Sequence, residues 1–370
     1  MLEEIKIKAL ILAGGYGTRL RPLSCTRPKL LFPVAGKTML EWILNNIYGE
    51  DFDEVILAVN HLADILKKRV GNKINNININ YSLEPEPLGT GGPIKKAEDR
   101  LKDVDNFLIA NGDILTTLNF QRMLEFHTKK EAIATVALHE VSDPSRYGVV
   151  ELDKEIRIKK FVEKPKEKLT SKWINAGIYL MKVDVLKYIP SNRKVSLEKE
   201  IFPILSEREK LYGFKLDGPW YDVGNIDTFR KANYDIIKRE PKQKPLLYKK
   251  ANIEDKVKLK PPIIIRENAK IGNYSIIGPN SVICQNSKIG DKTVIKDSII
   301  FENVTIGESA LIEGTIIGGN VEIGDCVKIG RNCIISDYVN IRDNIKISKD
   351  VIVHPYKELE NDVKNSGHVL

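Results

Sequence analysis

Two different periodicities of apolar and polar positions divide the chain. From residue 1 to about 237, short apolar runs alternate with longer amphipathic stretches. The runs Ile7–Ala13, Val55–Val59, Ile77–Tyr81, Phe107–Ala110 and Ile133–Leu138 predict strands. Helical spacing over Met39–Tyr48, Leu62–Val70 and Gly91–Leu101 predicts helices between them. This alternation implies an α/β domain with a mostly parallel sheet covered on both faces. In open sheets of this class ligands bind outside the carboxyl ends of the strands, so Gly14, Asn60, Glu84 and Asp113 are expected to share one crevice.

Past Pro262 the period changes to six. Aliphatic residues fall at Ile265, Ile271, Ile277, Ile283, Ile289 and Ile295, then at Ile300, Ile306 and Ile312. They continue from Ile317 through Ile323, Ile329, Ile335, Ile341 and Ile347 to Val353, and only two steps are five residues long. Glycine often follows, as in Ile271-Gly272 and Ile323-Gly324. That hexapeptide repeat predicts a parallel β-helix of about five triangular coils, with the aliphatic side chains stacked inside.

Composition changes this picture mainly between the two halves. From Lys238 to Lys260 there are nine basic residues and three acids, +6 out of a formal net charge of +8. With Pro241, Pro245 and Pro261-Pro262, the stretch 238–262 reads as a basic linker between domains. It holds one aromatic residue, Tyr248, which argues against a nucleic-acid partner. The apolar run nearest the start is five residues long and follows charged positions, so neither a secretory signal nor a membrane span is expected, and the cytoplasm is the expected location. Cys25, Cys284, Cys326 and Cys333 show no C-x-x-C spacing and are read as small buried hydrophobes. His61, His127 and His139 are read as loop or helix-surface residues.

Chemistry concentrates after the first strand, in Gly14-Gly15-Tyr16-Gly17-Thr18-Arg19, then Arg21 and Pro28-Lys29. Glycines let backbone N–H groups approach phosphate oxygens, and a following helix would offer its positive end to the same anion. The spacing fits neither G-x-G-x-x-G nor the Walker loop. A tight strand-to-helix turn accounts for the glycines alone, but not for Arg19 together with Lys29. Asp113 ends an apolar strand at Asn111-Gly112-Asp113, and Asp222 lies in Trp220-Tyr221-Asp222-Val223-Gly224. An ordinary turn and a helix cap are the plain alternatives for these two.

The glycine loop instead resembles the G-G-x-G-T-R-L…P-K signature of the sugar-phosphate nucleotidyltransferases. Further matches are Glu84-Pro85-Glu86-Pro87-Leu88-Gly89-Thr90, Ser145-Arg146-Tyr147-Gly148-Val149, Glu163-Lys164-Pro165, Asn175-Ala176-Gly177, the segment from Ser196 to Pro203, and the hexapeptide tail. Together these are most similar to the GDP-mannose pyrophosphorylase branch of that family. The resemblance implies a Rossmann-like, mostly parallel α/β nucleotidyltransferase domain over 1–237 and a left-handed parallel β-helix over 263–370.

It further implies that Arg19 and Lys29 act on the reacting phosphates. Leu12, Gly14, Gly15, Gly17, Thr18, Arg19, Glu84, Gly89, Thr90 and Gly112 would hold the nucleotide. Gly148, Glu163, Lys164 and Asn175 would hold the sugar phosphate, and Asp113 and Asp222 would hold Mg²⁺. The expected reaction joins an NTP, GTP in the first instance, to a sugar 1-phosphate such as mannose 1-phosphate and releases pyrophosphate, in a chain that self-associates.

A carboxylate at Glu84 or Glu86 favours guanine, whose N1–H and 2-amino groups are adjacent donors; uracil or thymine suits an amide better. UTP or dTTP with glucose 1-phosphate is the alternative pair. A β-helix that acetylates amino sugars would want a basic side chain between coils, and no histidine lies between Ile263 and Val353. A non-catalytic subunit of the translation-initiation exchange-factor type would not need Arg19, Lys29, Asp113 and Asp222, all of which are present.

Overall fold

The structure, a computed structural model, describes residues 7–47, 52–74, 76–165, 171–239, 245–248 and 250–370. The chain forms two compact units that interleave in sequence. One runs up to Tyr16, takes in Pro28–Leu31 and covers Met39–Val223; the other takes Gly17–Arg27, Phe32–Thr38 and the chain from Gly224.

In the first unit four parallel strands lie side by side in the order Asn106–Asn111, Ile7–Ala13, Phe52–Val59, Ile77–Leu83. Successive side chains of a strand point to opposite faces, so an all-apolar strand must be buried twice. Ala9 and Ile11 accordingly join Leu40, Ile43, Leu66 and Met123 on one side. Leu10, Ile56 and Ala58 join Ile94, Leu101, Phe202 and Leu205 on the other. The sheet is extended beyond Asn106–Asn111 by Trp173–Lys182, antiparallel to it, which also pairs with Ala134–Glu140 and Gly148–Leu152. The helical stretch expected over Gly91–Leu101 breaks into Gly92–Lys96 and Glu98–Leu101, and the one expected over Met39–Tyr48 ends at Asn45, with Tyr48 outside the described residues.

The second unit contains the helix Ile226–Arg239 and three parallel sheets of two- and three-residue strands, consistent with the expected left-handed β-helix. Ile265, Ile283, Ile300 and Ile317 stack with no exposed surface, each removing roughly 1.5–3 kcal/mol worth of apolar side chain from water. The corners require positive φ, and asparagine, which tolerates it, supplies Asn268, Asn286, Asn303 and Asn320. These four form a ladder in which each side-chain amide donates to the next at 3.1 Å.

Three expectations need correction. The expected linker over 238–262 is not one in its described part. The helix runs on to Arg239, and Leu246–Leu247, Asn252–Ile253 and Lys258–Leu259 already pair with the following coils. Leu247, Ile253, Leu259 and Ile265 keep the six-residue phase, which the surrounding lysines obscure. Residues 240–244 and 249 lie outside the described residues. Cys284 and Cys333 are buried, but Cys25 and Cys326 are exposed, Cys326 because it occupies a positive-φ corner.

His127 is not on a helix surface. It is fully buried, with Nδ1 2.7 Å from the Thr135 hydroxyl, and burial, aided by the nearby Lys182 charge, lowers its pKa to about 4. Among the described residues no helix is long and apolar enough to cross a membrane.

The unfolded chain protonates His127 near its usual 6.5 and the folded chain only near 4. Its share of stability is therefore complete above pH 6.5 and falls as pH drops from 6.5 toward 4, by at most about 1.4 kcal/mol per pH unit. Urea unfolding at pH 7 and pH 5 should show a larger loss in wild type than in His127→Gln. Equal losses would show that His127 does not carry the effect.

Candidate active site

The carboxyl ends of the central strands set the site. Strand Ile7–Ala13 runs into Gly14 and Gly15; Gly15 is exposed, and a Cβ built on it would meet nothing within 4 Å. The chain then passes to the second unit, where Gly17 takes φ +59° and its carbonyl accepts from the Leu20 N–H at 2.8 Å and the Ser24 hydroxyl at 2.7 Å. Thr18 and Arg19 are exposed on a three-residue 3₁₀ turn. The helix expected after this loop does not form, because Pro22 would fall inside it, without an N–H to donate.

Strand Asn106–Asn111 ends one step away. The Gly112 N–H donates to the Leu12 carbonyl at 2.9 Å, and a Cβ on Gly112 would sit 2.9 Å from that oxygen and 3.0 Å from Leu30 Cδ2. Asp113 follows, and then Ile114–Thr116, which pairs antiparallel with Trp220–Asp222. Asp222 lies opposite Ile114, and the Val223 N–H donates to the Asp113 carbonyl at 2.9 Å. One short ladder thus brings the two sequence-distant aspartates to neighbouring positions. Lys29 Nζ donates to Asp113 Oδ2 at 2.8 Å, with both side chains largely but not fully covered.

No group of three or more His, Cys, Asp or Glu side chains among the described residues could hold a metal alone. A pair of carboxylates is nonetheless what Mg²⁺ requires when phosphates and water complete its octahedron, so the donor set fits that ion. Beside Asp222, the Trp220 indole N–H donates to the Ala176 carbonyl at 3.0 Å, and its ring stacks on His139 at 5.5 Å and meets Tyr147 edge-on at 5.4 Å. Burial, with the Asp222 charge, raises the Tyr147 phenol.

Glu84 is buried and Glu86 exposed. Glu84 Oε2 accepts the Leu88 N–H at 3.2 Å, whereas Oε1 is buried with no hydrogen-bond partner among the described residues. A Cβ on Gly14 would lie 3.3 Å from that oxygen, so the carboxylate stands beside the start of the glycine loop. Burial raises its pKa against the opposing pull of the Leu88 N–H and the Lys96 charge.

Of the remaining expected residues, Gly148 and Lys164 lie beside a second carboxylate, Glu163. Gly148 pairs with Glu163 across an antiparallel ladder, and a Cβ there would reach to 2.8 Å from Glu163 Oε2. Lys164 is exposed, its Nζ 3.8 Å from Glu163 Oε1. Asn175 Nδ2 donates to the Tyr179 hydroxyl and its Oδ1 accepts the Gly177 N–H, both at 2.9 Å, so these bonds engage both ends of its amide within the chain. Gly89 takes φ +79°, and any Cβ there would strike the Val195 carbonyl. The Thr90 hydroxyl donates to Glu198 Oε2 at 2.6 Å and accepts the Leu197 N–H at 2.9 Å, which ties the loop down rather than presenting the hydroxyl to a ligand.

Residues 8–239 match the family described as nucleotidyl transferase, and residues 259–369 match the GMPPB C-terminal domain. The chain belongs to the nucleotidyl transferase family. A mannose-1-phosphate guanyltransferase of Yarrowia lipolytica is 40% identical over 244 residues, 65% of this chain and 66% of that protein. One of Saccharomyces cerevisiae is 38% identical, over 64% of this chain and 68% of that protein. A probable mannose-1-phosphate guanylyltransferase of Arabidopsis thaliana is 36% identical, over 74% and 76%. Among solved structures, a putative glucose-1-phosphate thymidylyltransferase from Bacillus anthracis superposes with a TM-score of 0.55 at 28% identity, over 61% of this chain and 94% of that one.

For a nucleotidyl transferase the residue that sequence reasoning passed over is Glu198. It accepts from the hydroxyls of Thr90, Ser196 and, at 3.4 Å, the fully buried Tyr179, and its charge adds to the burial that raises the Glu163 carboxyl. Glu198 stands in the charged triplet Glu198-Lys199-Glu200, which gives it no local signal, and only the fold connects it to Thr90.

Asp113→Asn and Asp222→Asn each remove one negative charge from the metal-compatible pair while keeping shape. Each should lower turnover by at least about a hundredfold, with the melting temperature nearly unchanged. Turnover within threefold of wild type would remove that residue from the site.

Proposed function

We propose that this enzyme transfers the guanylyl group of GTP to mannose 1-phosphate, giving GDP-mannose and pyrophosphate. The observation that carries the choice of base is Glu84 Oε1, a buried acceptor with no hydrogen-bond partner among the described residues, beside Gly14. A buried acceptor left unpaired costs about 1–3 kcal/mol, and guanine N1–H with its 2-amino group would satisfy it. The relatives named as mannose-1-phosphate guanyltransferases support both the base and the sugar.

The reaction is an in-line attack. An oxygen of mannose 1-phosphate forms a bond to the α-phosphorus of GTP as the bond to pyrophosphate breaks. That nucleophile needs no general base, because a phosphate monoester with a second pKa near 6 is already dianionic at neutral pH. The protein's task is to hold two anions in line and offset their repulsion.

Backbone N–H groups of Gly14, Gly15 and Gly17 would cradle the triphosphate, with Arg19 and Lys29 opposing its charge. Asp113 and Asp222 would hold Mg²⁺, which supplies further neutralisation when bound. Lys29 would then exchange its carboxylate partner for phosphate oxygens. Gly148 and Glu163 would accept or donate to sugar hydroxyls, and exposed Lys164 would meet the sugar phosphate.

Glu84→Gln replaces paired acceptance with one acceptor and one donor. The GTP-to-UTP ratio of kcat/KM, read from pyrophosphate release with mannose 1-phosphate, should fall roughly ten- to a hundredfold. A ratio within twofold of wild type would mean that Glu84 does not read the base.

A further inference from the structure

The segment Gly17–Arg27, which begins inside the phosphate loop, has no β-ladder of its own, only the short 3₁₀ turns Thr18–Leu20 and Leu23–Cys25. Within the second unit it is held by a buried charge cluster on the β-helix. Arg27 is 5% exposed and its Nη1 lies 2.8 Å from Glu302 Oε1, with Nε 3.4 Å from Asp337 Oδ2. The neighbouring Thr26 hydroxyl donates to Asp337 Oδ2 at 2.9 Å, and the guanidinium carbon stands 5.1 Å over the Phe301 ring.

Glu302 and Asp337 occupy the same corner two coils apart, following Ile299–Ile300 and Ile334–Ile335. In the coil between them that corner carries Gly319, whose N–H donates to Asp337 Oδ1 at 2.7 Å, and a Cβ there would press on the Arg27 guanidinium. The corner is thus a glycine notch flanked by two carboxylates, and Arg27 fills it.

A guanidinium hydrogen-bonded to one buried carboxylate and ion-paired with a second is fixed in direction as well as distance, which apolar packing of the same volume would not do. From the notch the constraint runs back through the segment to Gly17, whose carbonyl is held by the buried Ser24 hydroxyl. We propose that Arg27 is a positioning residue: locked into the Glu302–Gly319–Asp337 notch, it makes the β-helix the anchor of the phosphate loop and so a determinant of nucleotide affinity. This rests on the reading of Gly17–Arg19 as nucleotide-phosphate contacts.

The test uses the full chain carrying Gly319→Ala, Asp337→Asn or Glu302→Gln, none of which alters a residue assigned to substrate. KM for GTP and for mannose 1-phosphate are measured separately, alongside amide hydrogen exchange. Each variant should speed exchange in peptides covering 17–27 and leave Ile7–Ala13 protected. KM for GTP should rise about three- to thirtyfold while KM for mannose 1-phosphate stays within twofold. Arg27→Lys, which keeps the charge but not the fork, should fall between wild type and Asp337→Asn.

Unchanged exchange over 17–27 overturns the proposal. So does faster exchange with unchanged KM for GTP, or an equal rise in both KM values with a lower melting temperature, which would mark a merely structural role. Should a notch variant fail to fold, Thr26→Val removes a single hydrogen bond from the same cluster and is judged by the same readouts. If wild type turns over no GTP, the guanylyl reading fails, and exchange over 17–27 together with KM for whichever NTP is used still decides the role of Arg27.

Discussion

The close approach of the Gly112 backbone to the Leu12 carbonyl, 2.9 Å from nitrogen to oxygen, is the contact on which the catalytic unit depends. A side chain at 112 would collide with that carbonyl and with Leu30, so only glycine lets the end of one central strand sit against the end of the next. Asp113 is thereby delivered to the edge where the glycine loop begins. The Asp113 carbonyl in turn accepts the Val223 N–H, so the same two residues that end the strand also dock the ribbon carrying Asp222. The position of both acids follows from backbone hydrogen bonds rather than from flexible side chains.

Charge balance gives this geometry its chemistry. Lys29 neutralises Asp113 in the structure, so no uncompensated carboxylate stands there. Under the proposed function, a triphosphate with its divalent ion would bring a partner for each member of the pair, with the cation going to the acids and the phosphates to Lys29. Glu84 works differently. Its Oε1 is buried with no hydrogen-bond partner among the described residues, which costs free energy in the free protein and would be recovered when a donor arrives.

Much of this was legible in the sequence, for physical reasons. Apolar runs such as Ala9–Ala13 point to burial on both faces, and the six-residue phase of isoleucines admits few structures besides a β-helix. The same phase continues through Leu247, Ile253 and Leu259, yet lysines dominate that stretch, and composition spoke louder than spacing there. Asp113 and Asp222 could be named because each sits in a short motif that resembles the nucleotidyltransferase family's. Glu198 and the Arg27 notch could not be singled out, since their partners Thr90, Glu302 and Asp337 are distant in sequence and a lone acid or arginine carries no local signature. His127 was misread because a polar residue on an amphipathic helix looks solvent-facing until Thr135 is found opposite it.

The central claim is that Asp113 and Asp222, joined through one ladder, form a single divalent-cation site that is completed by nucleotide phosphates. Electron paramagnetic resonance of Mn²⁺ titrated into the full chain with a non-hydrolysable GTP analogue addresses it directly. One tightly bound Mn²⁺ per chain is expected in wild type, and that signal should be lost in the Asp113→Asn/Asp222→Asn double variant. Undiminished Mn²⁺ binding in the double variant, with the nucleotide analogue still bound by the protein, would contradict it.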